Sequence, residues 1–452
     1  MALSLVALRV VPRRDGCWAM TASQATQRLG NLREGSRQSA IAVLARSGQI
    51  ASPLSGSDGA SLLSGTTQGA RAGAIRELAA LFKGDLSGQE TEAILGTEAT
   101  LFEDNRQGAI AALARAKRFG PSLSEDAALA LKGTTQRSRA GSIAEIAPYL
   151  RAGVTGQTIA TILGAGPLLS DGNRQGAIAA IARSGKKPLP LSGADGAAIL
   201  QGSAHVARAG SIGELAPLFR SDLSGQEADA ILGSETTLSE GNRQRAIAAL
   251  ARSQRFGPSL SEDAALALKG TTQGSRAGSI AEIAPYLRAG LTGQAIATIL
   301  GDGSLLSEGN RAGAIAAIAR SGKKPLPLSG AEGAAILQGT TQSARVASIR
   351  EIARFFVAGM PGDKVALILG ASAESTEGHR YGGLDTLVRA GVVTTGIIGP
   401  ELESVLRGMS GQTKTAAIAL LNNAVVASKQ TSSLTGAAPQ PPLTRASCSS
   451  LL

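Results

Sequence analysis

The sequence predicts an all-α fold, a right-handed superhelical solenoid of about twelve two-helix repeats, each 33–35 residues long. An arginine recurs at that interval, and an Ile or Leu follows it four positions later inside an Ala-rich apolar stretch. A period in this range over most of a chain is typical of helical units that bury their apolar faces against their neighbours. The recurring positions are Arg37, Arg71, Arg106, Arg139, Arg174, Arg208, Arg243, Arg276, Arg311, Arg345 and Arg380, and Lys414 holds the twelfth place.

The composition agrees with closely stacked short helices. Hydrophobic residues make up 43% of the chain and aromatic residues only 2%, with 57 Gly, so the predicted core consists mainly of Ala, Ile and Leu. The only cysteines, Cys17 and Cys448, lie outside the repeats. This excludes a disulfide framework or a CxxC metal site within the array and fits a reducing compartment. No apolar run approaches the ~20 residues of a membrane span, so we expect a soluble chain without a transmembrane segment.

Three segments are predicted. Residues 1–19 form an N-terminal extension, because Met20 takes the aliphatic position that opens each repeat. Either Met20 is the native start, or the chain starts at Met1 and the Arg9, Arg13 and Arg14 cluster gives weak support to a targeting segment. Residues 20–427 form the helical repeats. Residues 428–452 are rich in Ser and Pro without periodicity, which predicts a disordered tail.

Each repeat opens with an aliphatic residue followed by a hydroxyl residue, as in Leu123-Ser124. The hydroxyl is expected to cap the first helix by accepting a hydrogen bond from an amide of the first turn. A glycine such as Gly133 is predicted to end that helix in the left-handed conformation. The anchor arginine then begins the second helix. An acid three residues after the hydroxyl completes a capping-box pattern at Ser55/Asp58, Ser87/Glu90, Ser192/Asp195, Ser224/Glu227 and Ser329/Glu332.

The loops between the two helices alternate in length. Ten residues separate the glycine from the arginine in the long-loop repeats and six in the short-loop repeats. A block of four repeats is also duplicated at an offset of 137 residues, since residues 119–136 reappear unchanged as residues 256–273. The long-loop arginines are Arg106, Arg174, Arg243, Arg311 and Arg380; the short-loop arginines are Arg71, Arg139, Arg208, Arg276 and Arg345.

Two resemblances follow from these loops. In the long-loop repeats an acid stands two or three places before the arginine, as in Asp104-Asn105-Arg106. This resembles the HEAT repeat, in which an acid and an arginine form an internal ladder, and the likeness implies a protein-binding scaffold. The short-loop repeats are similar to the DNA-binding repeats of TAL effectors in the opening Leu123-Ser124, the tight loop 133–138 and the proline at Pro148.

The TAL-effector resemblance implies helices kinked by proline, duplex DNA binding through the short loops, and use as a secreted effector of a plant-associated bacterium. The two loop positions that vary in that family are here almost constant, as in Thr66-Thr67 and Thr134-Thr135. A constant pair holds no sequence code, so any DNA binding is expected to be largely sequence-indifferent.

The arginines permit two interpretations, because a cation in the first turn of a helix lies at the positive end of the dipole and calls for an anionic partner. In the first, each arginine pairs with a loop acid of its own or the next repeat, which suits the long-loop set as a structural ladder. In the second, the short-loop set, which has no acid in its own loops, is a binding site that presents guanidinium groups to a phosphate backbone. Affinity would then fall steeply with salt.

The residues do not predict catalysis. His205 and His379 are variants of repeat positions, and two histidines without cysteine in the repeats cannot build a zinc site of the usual spacing. The scarcity of aromatic residues disfavours single-stranded RNA, which needs stacking platforms. We therefore expect a non-enzymatic binding scaffold without cofactor or metal, with a protein as the leading partner. The alternative is duplex DNA, and the net charge of +11 does not decide between them.

Overall fold

The computed structural model describes residues 19–393 and 396–435, with side chains as far as Val425. The chain forms two compact units that divide between Gly270 and Thr271. The described residues form 24 α-helices in twelve consecutive pairs, and helices of adjacent pairs pack on each other. The predicted all-α solenoid of about twelve two-helix repeats is thereby confirmed.

The first unit contains α1–α15. The first helices of its repeats are α1 (Ala22–Leu29), α3 (Gly56–Leu62), α5 (Gly88–Leu95), α7 (Leu123–Ala130), α9 (Gly156–Leu163), α11 (Gly193–Ile199), α13 (Gly225–Leu232) and α15 (Leu260–Ala267). The second helices are α2 (Glu34–Arg46), α4 (Gln68–Leu78), α6 (Glu103–Arg115), α8 (Gln136–Ile146), α10 (Asp171–Arg183), α12 (His205–Leu215) and α14 (Glu240–Arg252). First helices pack on first helices and second helices on second helices, which produces two layers.

The second unit repeats this arrangement. Its helices are α16 (Gln273–Ile283), α17 (Gly293–Leu300), α18 (Glu308–Arg320), α19 (Gly330–Leu337), α20 (Gln342–Ile352), α21 (Gly362–Leu369), α22 (Glu377–Arg389), α23 (Pro400–Leu406) and α24 (Gly411–Thr435). The last helix continues past residue 427, where the repeats were predicted to end. Residues 1–18 of the predicted extension and residues 436–452 of the predicted tail lie outside the described residues.

The core lies between the two layers and contains the aliphatic residue four positions after each anchor arginine. These residues are at most 1% exposed: Ile41, Ile75, Ile110, Ile143, Ile178, Ile212, Ile247, Ile280, Ile315, Ile349 and Leu384. The pattern ends in α24, where Lys414 is partly exposed beside Glu403 at 3.6 Å and Ile418 is only half-buried. The twelfth repeat therefore has no buried anchor cation.

The five predicted capping boxes are all present, at Ser55, Ser87, Ser192, Ser224 and Ser329. The predicted cap at Ser124 is wrong. Helix α7 begins two residues earlier, with Ser122 as its N-cap, because the Gly120-Pro121-Ser122 turn leads directly into the helix. The Ser124 hydroxyl is buried instead and accepts a hydrogen bond from the Arg151 amide at 2.7 Å.

Proline does not kink the second helices of the short-loop repeats. Pro148, Pro217 and Pro285 lie in a 3-10 turn that follows the end of the α-helix. The same turn forms without proline at Ala79–Leu81 and Ala353–Phe355. The turn therefore does not depend on proline, which is merely compatible with it; we attribute the turn to the packing of this connection.

Glycines in the first helices make room for the few phenylalanines. In the first unit, a Cβ added at Gly59 would lie 2.4 Å from Phe82, and one at Gly196 would lie 2.6 Å from Phe219. Each of these phenylalanines follows a second helix and forms an isolated bridge with the residue that opens its own repeat, as Phe82 does with Leu54. The glycine thus lets one ring fill the gap between the layers.

Candidate functional site: the arginine ladders

The short-loop arginines do not face outward. Arg71, Arg139, Arg208, Arg276 and Arg345 are only 4–5% exposed. Each is the fourth residue of a second helix, and its side chain extends away from that helix toward the ends of the first helices. The predicted presentation of these five guanidinium groups to a phosphate backbone is therefore wrong in geometry.

Their partners are main-chain carbonyl oxygens at helix C-termini. Arg139 donates from Nη1 to the Leu131 oxygen at 3.1 Å, at the end of α7. The same guanidinium donates from Nε to Leu163 at 3.0 Å and from Nη2 to Ile162 at 2.8 Å, at the end of α9. One arginine therefore joins the first helix of its own repeat to that of the next repeat.

The other short-loop arginines make corresponding bonds. Arg71 joins Leu63 at 3.0 Å to Ile94 at 2.8 Å, and Arg208 joins Leu200 at 3.0 Å to Leu232 at 2.9 Å. In the second unit, Arg276 donates to Leu300 at 3.0 Å and Arg345 to Ile368 at 2.9 Å. Arg345 also pairs with Glu374 at 3.2 Å, so one member of this set meets a loop acid of the next repeat.

These bonds supply the anionic partner that the sequence calls for. The last carbonyl groups of an α-helix have no acceptor role inside the helix and carry the negative end of its dipole. A guanidinium group offers five donors in a planar fork, so it can satisfy two such ends at once. The charge of Arg71, Arg139 and Arg208 is buried against these partial negative charges, and Arg345 meets the Glu374 carboxylate in addition.

The long-loop arginines are buried more deeply, at 2% exposure or less. Each donates to the carbonyl oxygen of the glycine ten residues before it, as Arg106 does to Gly96 at 2.9 Å and Arg311 to Gly301 at 2.9 Å. Corresponding bonds connect Arg174 to Gly164, Arg243 to Gly233 and Arg380 to Gly370. The predicted structural role of this set agrees with its burial.

Two of the long-loop acids, Glu103 and Glu308, bond to hydroxyl groups and not to an anchor arginine. Arg243 pairs with Asp229 of α13 at 2.6 Å rather than with a loop acid. The acid three residues before the anchor instead bonds to the short loop of the following repeat: the Glu34 carboxylate accepts from the Thr67 hydroxyl at 2.7 Å, and Glu308 from that of Thr341 at 2.5 Å. These acids link repeats by capping, which the sequence did not suggest.

Burial lowers the pKa of short-loop arginines but leaves them charged. Burial, and to a smaller extent the charge of the next anchor arginine, lowers the pKa of Arg71, Arg139 and Arg208 to about 10. All three remain protonated at neutral pH. Adjacent members of the ladder therefore repel each other, and the carbonyl oxygens between them offset that repulsion.

The side chains of the nearly constant short loops make hydrogen bonds within the protein. The hydroxyls of Thr66 and Thr134 are buried and donate at 2.6 Å to the carbonyl oxygens that end α3 and α7. Two residues later, the Gln68 side chain accepts from the Phe102 amide at 3.0 Å, and Gln136 from that of Ser170 at 2.9 Å. These short-loop residues are therefore part of the joint between repeats.

Sequence reasoning missed these glutamines, although their backbone is unusual. Gln68, Gln136, Gln273 and Gln342 have φ of 42–45°, in the left-handed region where non-glycine residues are uncommon. His205 stands where the other short-loop repeats have this glutamine, with φ 43°. His379 stands directly before its anchor arginine, where the other long-loop repeats have asparagine, and its Nδ1 lies 3.0 Å from Gln342. Both histidines are variants of repeat positions, as predicted.

The burial of the arginines changes which charges a partner can touch. Between residues 19 and 425 there are 40 Lys and Arg and 33 Asp and Glu. Eleven of the arginines are buried, and none of the carboxylates in that range is. A partner would therefore meet 29 cations and 33 carboxylates, a balance of −4, whereas all the charges of the same residues give 40 − 33 = +7.

The described residues contain no group of three or more His, Cys, Asp or Glu side chains arranged to hold a metal ion. Within the same residues, no helix is both long and apolar enough to cross a membrane. Comparison of the chain with protein-family models gives no match, and comparison with curated protein sequences gives no match.

Proposed function

We propose that this protein is a non-enzymatic repeat scaffold that docks a protein partner. The observation that carries the proposal is the burial of all eleven anchor arginines against carbonyl oxygens. What remains accessible between residues 19 and 425 is a mixture of both charges with a small excess of carboxylates. Stacked repeats offer an extended surface of this kind to proteins.

The same burial weakens the alternative of duplex DNA. The five short-loop arginines are the groups on which that alternative rested, and their donors are used internally. Exposed carboxylates such as Glu98 and Glu235 lie in the long loops, where they would repel phosphate. The exposed pairs Lys186-Lys187 and Lys323-Lys324 are separate small groups at the opposite ends of the second helices.

The test compares the two partner classes on the full chain. Affinity capture from a native lysate, with and without nuclease, is paired with a mobility shift on duplex DNA at about 50 and about 200 mM salt. We expect a protein that is retained after nuclease treatment and that binds the purified chain directly. Strong, salt-dependent retardation of DNA, together with loss of all captured protein on nuclease treatment, would overturn the proposal.

A further inference from the structure

One phenylalanine is placed unlike all the others. All seven Phe of the sequence lie in the described residues. Phe102 is 64% exposed, whereas Phe82, Phe119, Phe219, Phe256 and Phe356 are at most 8% exposed and Phe355 is half-buried. In a chain with so few aromatic residues, an exposed ring needs a reason.

Phe102 and Asp104 both differ from the residues at the same positions of the other long-loop repeats. Phe102 is the N-cap of α6, and the same place in the other long-loop repeats is Ser170, Ser239, Ser307 or Thr376. The Ser170 and Ser239 hydroxyls accept a hydrogen bond from the asparagine three residues later at 2.9 Å. A phenylalanine cannot replace that bond. Asp104, also exposed, occupies a place held elsewhere by Gly172, Gly241, Gly309 and Gly378.

The ring borders an open cleft between the loops of the third and fourth repeats. The cleft has a volume of about 670 Å³, and its apolar lining includes Phe102, Leu129 and Leu168. Glu98 lies on its wall across Gly133, where an added Cβ would come within 2.5 Å of the Glu98 Cγ. We call this site the Phe102 cleft.

At the Phe102 cleft, carboxylates are more available to a ligand than cations are. Glu98 lines it and is exposed, and Asp104 is exposed two residues after Phe102 in the first turn of α6. The cations that line it are already engaged: Lys132 pairs with Glu92 at 3.1 Å, and Arg139 donates to carbonyl oxygens. Glu103, the third carboxylate, bonds to the Thr135 and Ser138 hydroxyls.

We propose that the Phe102 cleft docks a basic, apolar segment of a protein partner. An Arg or Lys of the segment lies over the Phe102 ring, where the cation–π attraction adds to the charges of Glu98 and Asp104. An aliphatic neighbour of that cation packs on Leu129 and Leu168. This inference rests on the proposed function and deepens it, because it assigns one anchor of the docking surface and the chemistry that it recognises.

The test selects random twelve-residue peptides displayed on phage against the full chain, with counter-selection against Phe102→Ser. This variant takes the residue that the chain itself has at Ser239, 137 positions later, so its melting temperature should not fall below that of the wild type. We expect enriched peptides with Arg or Lys next to an aliphatic residue. Their affinity should fall about tenfold or more in Phe102→Ser and stay within about threefold in Phe102→Tyr, which keeps the ring.

A second pair of variants tests the charges. Glu98→Gln and Asp104→Asn should each weaken the selected peptides and reduce the dependence of their affinity on salt. The Phe102 cleft is overturned if no peptide is enriched, if the enriched peptides lack a basic residue, or if they bind wild type and Phe102→Ser equally. A nuclease-resistant protein partner that Phe102→Ser still captures at full strength would leave the scaffold function standing while refuting this site.

Discussion

At the scale of the residue, hydrogen bonds to its donors and an opposite charge or dipole near its charge stabilise a buried arginine. Arg139 meets both conditions with the ends of α7 and α9, at 2.8–3.1 Å. The sequence could predict that the arginine needs an anionic partner, because its position in the first turn is visible in the pattern. It could not predict the partner, since a main-chain carbonyl has no signature in the sequence.

Replacing Arg139 should therefore destabilise the fold. Arg139→Ala removes the donors to the Leu163 and Ile162 carbonyl groups at the end of α9, whereas the Leu131 carbonyl at the end of α7 keeps its bond from the Thr134 hydroxyl. We expect a loss of about 2–3 kcal/mol in the free energy of unfolding, measured by chemical denaturation. Arg139→Lys should recover only part of this loss, because an ammonium group lacks the planar fork that spans two ends.

The matched control is Arg137, which lies two residues away in the same helix and is exposed. Arg137→Ala should change the free energy of unfolding by no more than about 0.5 kcal/mol. Equal effects of the two substitutions would show that the Arg139 bonds contribute little.

At the scale of the element, a first helix such as α5 is fixed at both ends by neighbouring repeats. The Asp126 carboxylate of α7 accepts from the Gly88 and Gln89 amides at the start of α5, at 2.6 and 2.9 Å. The capping boxes were predictable because their spacing lies within one helix. The capping by Asp126 was not, because it joins residues 38 positions apart and depends on how the repeats stack.

A pair of glycines tests the packing between layers. Gly196→Ala in α11 would place a methyl group 2.6 Å from Phe219, so we expect a loss of about 1–3 kcal/mol in unfolding free energy. Gly213→Ala in α12 meets no atom within 4 Å and should stabilise the protein by about 0.5–1 kcal/mol, because alanine is the better helix former. Thermal and chemical denaturation of both variants measure this, and effects of the same sign would contradict the packing described.

Glu332 gives the caps a pH dependence. Its carboxylate accepts from the Ser329 amide at 3.0 Å and the Gly293 amide at 3.0 Å. The Ser329 bond is the main cause that lowers the pKa of Glu332, against an opposing effect of burial. The folded state therefore prefers the ionised form, whose contribution is complete above the ordinary glutamate pKa of about 4.3 and is lost as pH falls through the lowered value.

We expect Glu332→Gln to be less stable than the wild type at neutral pH and to approach it near pH 3. The measurement is the unfolding free energy of both proteins between about pH 7 and pH 3. A constant difference across that range would mean that ionisation of Glu332 does not contribute to the cap.

At the scale of the whole molecule, the period alone predicted the helical pairs and the buried aliphatic positions, because both follow from a repeated apolar face. The net charge does not show which charges are accessible, since it counts the buried anchor arginines together with the exposed cations. Phe102 stands out from the repeat frame in the sequence, but only its 64% exposure separates it from the buried phenylalanines. Departures from the frame are thus informative once their burial is known.

The central claim is that the anchor arginines are internal joints and not a binding face. Brief modification of the folded chain with phenylglyoxal, followed by peptide mass spectrometry, measures the accessibility of each guanidinium group. We expect the eleven anchor arginines to be protected until the protein is unfolded, while the exposed Arg76, Arg137, Arg245 and Arg350 react at once. Modification of Arg71, Arg139, Arg208, Arg276 and Arg345 in the folded chain as fast as of Arg137 would contradict the claim.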